Sequence, residues 1–169
     1  MKANATERFL LALILMLCVA AGQTSASEVE IGELSFLDRS YMQQQRELVA
    51  DLCERNLGRK LTGDRDNDLA LLQTMLDRGI VRKDQTRELQ AMGLVMGDLL
   101  ADELGLDWVI YEDELGRSRA LRYKQVDHYL FPMTMIARRR EAGNTESVVD
   151  IYNKALENMS AHIEPLPFQ

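Results

Sequence analysis

The hydrophobic pattern changes its period at Gly105, and this change limits the fold more than any other feature of the sequence. Before Gly105, apolar residues such as Leu89, Met92 and Met96 recur every three or four positions, which is the period of an amphipathic helix. After Gly105 comes the run WVIY, whose β-branched and aromatic residues favour a strand. The chain is therefore predicted to be an α+β domain.

Three helices are predicted before this change. The first runs from about Asp38 to Leu57, the second covers residues 66–79, and the third begins near Asp84. Each helix is followed by a glycine, the residue that most readily adopts the left-handed conformation found after a helix C-terminus. Residues 27–35, which precede the helices, are predicted to form a loose, acidic leader.

The segment DWVIYEDELGRSRALRY predicts a β-hairpin. Its turn, ELG, suits a three-residue loop with Gly116 in the left-handed position. In that register Asp113 faces Arg117, whereas a two-residue loop is expected to pair Glu114 with Arg117. In both registers acids meet arginines near an exposed tip, where such pairs contribute about 0.2–1 kcal/mol each.

The remaining segments complete the expected architecture. The run HYLF suits a third strand, and Pro132–Arg140 suits a short helix that opens on proline, although a continuing strand also fits. A last helix starts after Ser147, and residues 164–169 form a tail. We expect a single α+β domain over residues 36–163. Its N-terminal helices pack on a small antiparallel sheet, a hairpin or a three-stranded meander, with C-terminal helices beside it.

The first 26 residues have the layout of a secretory signal peptide. Two basic residues precede the apolar run Phe9–Ala21, and small residues then lead to a cleavage site after Ala26 or Ser27. The apolar run is shorter than the roughly 20 residues that a membrane-spanning helix needs. We expect a periplasmic or secreted protein with no integral membrane span after cleavage. An uncleaved inner-membrane anchor is the alternative.

Charge and cysteine content narrow the classes of function. The chain has 20 basic and 27 acidic residues and a net charge of -7. Loss of residues 1–26 would remove two basic residues and one acid, leaving 18 and 26 and a net charge of -8. This charge argues against nucleic acid as a partner. Cys53, on an apolar helical stripe, is predicted to be a small buried hydrophobe rather than a nucleophile. No cofactor is indicated.

A structural role is predicted for several residues around the helix-to-strand transition. Two glycines four positions apart on one helix face would allow close approach of another backbone, although each lowers helix propensity by up to about 1 kcal/mol relative to alanine. Aromatic residues in strands are more often part of a core than of a ligand platform. The residues assigned a structural role are Gly93, Gly97, Trp108, Gly116, Arg117 and Pro132.

The acids at the hairpin tip are weak candidates for catalysis. A glycoside hydrolase needs two carboxylates in different environments, about 5–10 Å apart. Adjacent strand residues point to opposite faces, and facing arginines would keep Asp113 and Glu114 ionised. The acids beginning at Asp64 lack the glycine and the glutamate that a calcium loop requires, so no metal site is predicted.

The segment from Leu69 to Tyr152 resembles a bacterial family known only as a domain of unknown function, DUF3806. The pattern combines a Leu-Gln-x-hydrophobic-Gly helix, Trp-Val, an acidic pair with Gly-Arg, and Phe-Pro before basic residues. The positions that carry the resemblance are Leu89, Gln90, Gly93, Gly97, Trp108, Val109, Asp113, Glu114, Gly116, Arg117, Phe131, Pro132 and Arg139. The resemblance implies a shared fold and no particular activity.

Three functions remain open at this point. We favour a non-catalytic interaction or envelope-accessory protein, whose partner would be an envelope protein. The first alternative is a cell-envelope hydrolase that uses Asp113 or Glu114. The second is a small-ligand binder with a groove lined by aromatic residues and methionines, among them Met92, Met96 and Met133.

Overall fold

A computed structural model describes residues 29–163 of the chain. This part of the chain contains five helices and four strands and confirms the α+β class. The helices are α1 (Phe36–Leu57), α2 (Arg65–Asp77), α3 (Thr86–Leu104), α4 (Pro132–Glu141) and α5 (Val148–Ser160). The strands are β1 (Glu30–Gly32), β2 (Asp107–Asp113), β3 (Gly116–Arg122) and β4 (Tyr129–Leu130).

The strands form one antiparallel sheet in the order β1-β2-β3-β4. The prediction of a loose leader over residues 27–35 is wrong for Glu30–Gly32, which pair with β2 so that Ile31 lies opposite Tyr111. The described part of the chain therefore has one strand more than the expected meander. The reason is that β1 satisfies the backbone groups on the outer side of β2, which an open hairpin would leave to water.

The register of the β2–β3 hairpin differs from both predicted registers. Asp113 lies opposite Gly116 and Glu112 lies opposite Arg117, which leaves Glu114 and Leu115 as the loop. The Asp113 carboxylate accepts a hydrogen bond from the Leu115 amide at 2.9 Å. This local bond closes the turn, and Gly116 follows with a φ of 121°. The predicted pairing of Asp113 or Glu114 with Arg117 is therefore wrong.

The first residues of α1 and α4 explain where these two helices begin. Helix α1 begins at Phe36, two residues before the predicted start, because Ser35 is its N-cap and forms a capping box with Asp38. Pro132 opens α4 at its first turn, where the missing amide hydrogen is not needed. Residues Pro132–Arg140 are thus helical, and the alternative of a continuing strand is wrong.

Helix α3 lies at the centre of the core and packs closely on α4 and the sheet. A Cβ atom on Gly93 would lie 2.4 Å from the carbonyl oxygen of Pro132, so the α4 backbone touches α3 at this glycine. A Cβ atom on Gly97 would lie 2.7 Å from the Trp108 ring and 2.8 Å from Cβ of Pro132. The neighbours of Gly97 are therefore side chains and not the backbone that its spacing suggested.

The core is otherwise built from apolar helix faces, and it contains the thiol of Cys53. This side chain is fully buried, with Sγ 3.9 Å from Sδ of Met75. Burial raises the thiol pKa to about 11, so the thiol stays protonated at neutral pH. No helix within residues 29–163 is long and apolar enough to cross a membrane. The predicted signal peptide, residues 1–26, and the tail, 164–169, lie outside the described residues.

Candidate functional site

The candidate site is built around the carboxylate of Asp38, which is only 2% exposed. Helix α1 positions it, because the capping box fixes the first turn. The Ser35 amide donates to Oδ2 of Asp38 at 3.0 Å, and the Asp38 amide donates to Oγ of Ser35 at 3.1 Å. A buried carboxylate needs compensating charge, and the sheet supplies it.

Two arginines of β3 hold the Asp38 carboxylate. Arg117 forms a bidentate pair with it, at 2.9 and 2.7 Å, and Arg119 donates to Oδ1 at 2.8 Å. The two arginines project from the same sheet face because they are two residues apart in a strand. The hydrogen bonds from Arg117 lower the pKa of Asp38 well below its usual range, although burial opposes them. Asp38 is therefore ionised and unsuited to donate a proton.

The guanidinium of Arg119 joins α1 to the sheet in a second way. It stacks over the ring of Tyr41, 4.4 Å from the ring centroid, in a cation–π arrangement. Its Nε is buried and has no hydrogen-bond partner within residues 29–163. The side chain as a whole is 23% exposed, so one side of this guanidinium borders the open space beside β3.

That open space is a cleft of about 510 Å³ between the β2–β3 hairpin, α1, α3 and α4. Its volume falls within the range of ligand pockets, about 300–1,000 Å³. The lining residues are Tyr41, Gln90, Tyr111, Asp113, Leu115, Gly116, Arg117, Ser118, Arg119, Phe131, Met133, Thr134 and Arg138. Three of them are arginines and one is an acid, although the chain as a whole has a net charge of -7.

Several polar side chains of the cleft have no hydrogen-bond partner within residues 29–163, among them Arg138 and Gln90. Arg138 is exposed on α4, and its guanidinium forms no ion pair or hydrogen bond in this part of the chain. Gln90, half-buried on α3, likewise forms no side-chain hydrogen bond there. Asp38 already neutralises one of the other two arginines. The cleft therefore retains positive charge and free donors, an arrangement that can bind a carboxylate or another anion.

An aromatic cluster borders the same cleft. The Tyr111 ring makes edge-to-face contacts with Phe131, at 5.2 Å between centroids, and with Tyr129, at 5.0 Å. Tyr111 lies opposite Ser118 in the hairpin, so it projects from the sheet face opposite to that of Arg117 and Arg119. The cleft thus has an aromatic side and an arginine side, separated by β3.

The acids proposed for catalysis occupy ordinary turn positions. Asp113 lines the cleft but accepts the Leu115 amide within the turn, and Glu114 is exposed in the loop. Arg117, predicted to face Asp113 or Glu114, lies opposite Glu112 and forms its bidentate pair with Asp38.

The other residues with a predicted structural role lie where α3, α4 and the sheet meet. Nε1 of Trp108 donates to Asp98 of α3 at 3.0 Å, and Arg46 of α1 holds the same carboxylate at 2.7 Å. Met92 and Met96 are fully buried in the core. Of the methionines considered for a groove, Met133 borders the cleft.

Sequence reasoning missed Asp38, Arg119 and Arg138 as members of a site. Asp38 pairs with residues 79 and 81 positions away in the sequence. No local sequence pattern indicates a contact between residues so far apart. One signal was available, since the sequence Ser-Phe-Leu-Asp has capping-box spacing. That signal places a carboxylate at the start of α1, but it does not identify the arginines opposite.

Comparison with known proteins identifies the family. The sequence pattern of the family described as "Domain of unknown function (DUF3806)" matches residues 68–152, half of the chain. The chain belongs to this family. The match confirms the resemblance drawn from the sequence and includes every cleft residue except Tyr41. Asp38 also lies before the matched residues.

A solved structure confirms the fold. A crystal structure of a protein from Bacteroides thetaiotaomicron VPI-5482, at 1.50 Å resolution, superposes with a TM-score of 0.70 and 19% sequence identity. The superposition covers 82% of this chain and 51% of the other, so this chain spans about half the length of that protein. At this identity the likeness concerns the fold alone. No curated protein sequence matches the chain.

Proposed function

We propose that this DUF3806 protein is an exported, non-catalytic binding protein of the cell envelope, and that the cleft beside β3 receives an anionic group of its partner. The observation that carries the proposal is the arginine-lined cleft in an acidic protein. Asp38 balances one of its arginines, and Arg138 has no partner within residues 29–163. Export is supported by the signal-like layout of residues 1–26.

The composition of the cleft favours a protein partner over a small apolar ligand. Tyrosine, phenylalanine, methionine and arginine, the residues enriched at protein interfaces, supply most of its walls. Apolar side chains of the hairpin tip and of the first turn of α1 are exposed. Leu115 is 91% exposed at the hairpin tip, and Phe36 and Leu37, both 77% exposed, directly precede the buried Asp38. These side chains would lose water contact in a complex.

Charge reversal tests the binding proposal. Arg138→Glu should greatly reduce the partner recovered from an envelope extract by affinity capture, because it places an acid in the cleft. Arg78→Glu is the matched control, since Arg78 is exposed at the end of α2 and does not line the cleft. Equal recovery of the same partner by both variants and the wild type would overturn the proposal.

Two further measurements test the remaining parts. N-terminal sequencing of the periplasmic or secreted protein should find a chain that starts after Ala26 or Ser27. A cytoplasmic chain that still begins at Met1 would refute export. The hydrolase alternative requires that Asp113→Asn abolishes a wall-degrading activity of the wild type without lowering the melting temperature. That result would replace binding by catalysis as the function of the cleft.

A further inference from the structure

Among residues 29–163, no strand pairs with the edge of β3 that borders the cleft. Strand β4 pairs only with Leu121 and Arg122. Within residues 29–163, the backbone of Gly116–Arg119 makes no hydrogen bond beyond its pairing with β2. Every second residue of such a stretch directs its N–H and C=O away from β2. These four residues, about 13 Å of strand, all line the cleft.

The usual protection of an exposed edge is weak here. Proteins shield open edges with proline, bulges, or charged side chains that project from the edge. No proline occurs in Gly116–Arg119, and both arginines of the stretch are bonded to Asp38 on one sheet face. Gly116, Arg117 and Ser118 are exposed. The backbone is therefore accessible to another strand.

From this edge and its charges we propose that an extended, acidic segment of the partner polypeptide adds to β3 as a further strand of the sheet. The inference rests on the proposed function and specifies its ligand. An added strand satisfies the open backbone groups of β3, as in other complexes formed by β-augmentation. The positive charge of the cleft selects acidic side chains within that strand.

The two sides of the cleft specify an alternating sequence. Successive side chains of a strand point to opposite faces. In a strand added to β3, one set would lie on the side of Arg117 and Arg119, and the other beside Tyr111 and Phe131. Acidic residues suit the first side, and aromatic or aliphatic residues suit the second. The ligand class is thus a peptide in which acidic and apolar residues alternate.

The peptide acetyl-Glu-Phe-Glu-Phe-Glu-amide is a direct probe. Titrated into the isotope-labelled protein, it should shift the NMR signals of Gly116–Arg119 and slow hydrogen exchange of the backbone amides that face the cleft. Glutarate, which offers carboxylates without a backbone, should shift cleft signals but leave hydrogen exchange unchanged. Arg138→Glu should weaken peptide binding about tenfold or more, as expected for loss of a charged hydrogen bond, whereas Arg78→Glu should not.

Two chemical controls separate backbone pairing from charge. N-methylation of the Glu amides or of the Phe amides keeps every side chain but removes the backbone donors along one edge of the peptide. At least one of these peptides should bind about tenfold more weakly, because several backbone hydrogen bonds are lost. The isomer with the order Glu-Glu-Phe-Phe-Glu keeps the composition, breaks the alternation, and should also bind more weakly.

The outcomes distinguish this inference from the proposed function. If both N-methylated peptides bind as well as the parent, or if exchange of Gly116–Arg119 is not slowed, strand addition is wrong. It is also wrong if none of the peptides binds. In each of these cases, the anion-binding function is retained if recovery of the partner by affinity capture still depends on Arg138. If capture is independent of Arg138 as well, both proposals fall.

Discussion

Two regions of this molecule hold its layers together by different means. At Gly93 the α4 backbone touches α3, and the contact depends on the absence of a side chain. At the start of α1 a buried carboxylate is bonded to two arginines of β3. The first contact depends on shape and the second on balanced charge. A substitution at the first must displace a helix, whereas a substitution at the second leaves charges without partners.

The largest effect is expected at the charged region. Asp38→Ala leaves Arg117 and Arg119 unbalanced and removes half of the capping box. Loss of one partner of a buried pair costs about 3–5 kcal/mol. Since Arg117 is 43% exposed and Arg119 23%, we expect about 2–4 kcal/mol, measured by urea denaturation.

Asp66→Ala is the matched control for Asp38→Ala. Asp66 also lies in the first turn of a helix, α2, but it is 83% exposed. Its loss should lower stability by no more than about 0.5 kcal/mol. If Asp38→Ala lowers the free energy of unfolding no more than Asp66→Ala does, the charge cluster contributes nothing to the fold.

The charge contribution should also depend on pH. The arginine hydrogen bonds hold the pKa of Asp38 below its ordinary value of 3.8, so the unfolded chain takes up a proton before the folded chain does. The resulting stabilisation is fully present above about pH 4 and is lost as pH falls below that value. The stability difference between wild type and Asp38→Asn should therefore shrink on acidification to pH 2. A difference that stays constant would contradict the lowered pKa.

The second largest effect is expected at the region that depends on shape. Gly93→Ala would place a Cβ 2.4 Å from the Pro132 carbonyl oxygen, and α4 must move as a unit to relieve it. We expect a loss of about 1–3 kcal/mol, although alanine improves helix propensity by up to about 1 kcal/mol.

Gly97→Ala is the matched control for Gly93→Ala. It lies on the same helix and meets the Trp108 and Pro132 side chains at 2.7 and 2.8 Å. The tip of the Trp108 ring can shift, whereas Cβ of Pro132 moves only with the α4 backbone. Because both contacts are longer than the 2.4 Å contact at Gly93, Gly97→Ala should lower the melting temperature less than Gly93→Ala does. A melting temperature for Gly93→Ala equal to or above the wild-type value would show that the backbone contact is not tight.

The two regions also differ in how far the sequence could predict them. The spacing of Gly93 and Gly97 on an apolar helix predicted a close contact, because local helix geometry places both on one face. The change of period at Gly105 similarly predicted the class of fold. The cluster of Asp38 with Arg117 and Arg119 could not be predicted, because its partners are 79 and 81 residues apart.

The strand pairing in the sheet was also only partly predictable from the sequence, although the paired residues of the hairpin are close in the chain. The sequence places a turn near Gly116 correctly, but it does not fix the register, because loops of two and three residues both suit the run Glu-Leu-Gly. The hydrogen bond from the Leu115 amide to the Asp113 carboxylate accompanies the two-residue loop. Strand β1 was missed for a related reason, since three residues are too short to show an alternating pattern.

The smallest effect separates the two interpretations of Arg117, as a partner of Asp113 or of Asp38. Asp113→Asn should lower stability by less than about 1 kcal/mol, because the amide oxygen can still accept the Leu115 hydrogen bond. Arg117→Ala should lower it by about 1 kcal/mol.

In a double-mutant cycle, Arg117→Ala and Asp38→Asn should show a coupling energy above about 0.5 kcal/mol, as expected for residues in contact. Arg117→Ala and Asp113→Asn should be additive, because Arg117 and Asp113 form no hydrogen bond or ion pair with each other and are not paired in the hairpin register. Coupling of Arg117 to Asp113 and not to Asp38 would show that Arg117 interacts with the hairpin acid. The pair of Arg117 with Asp38 would then not contribute to holding α1 on the sheet.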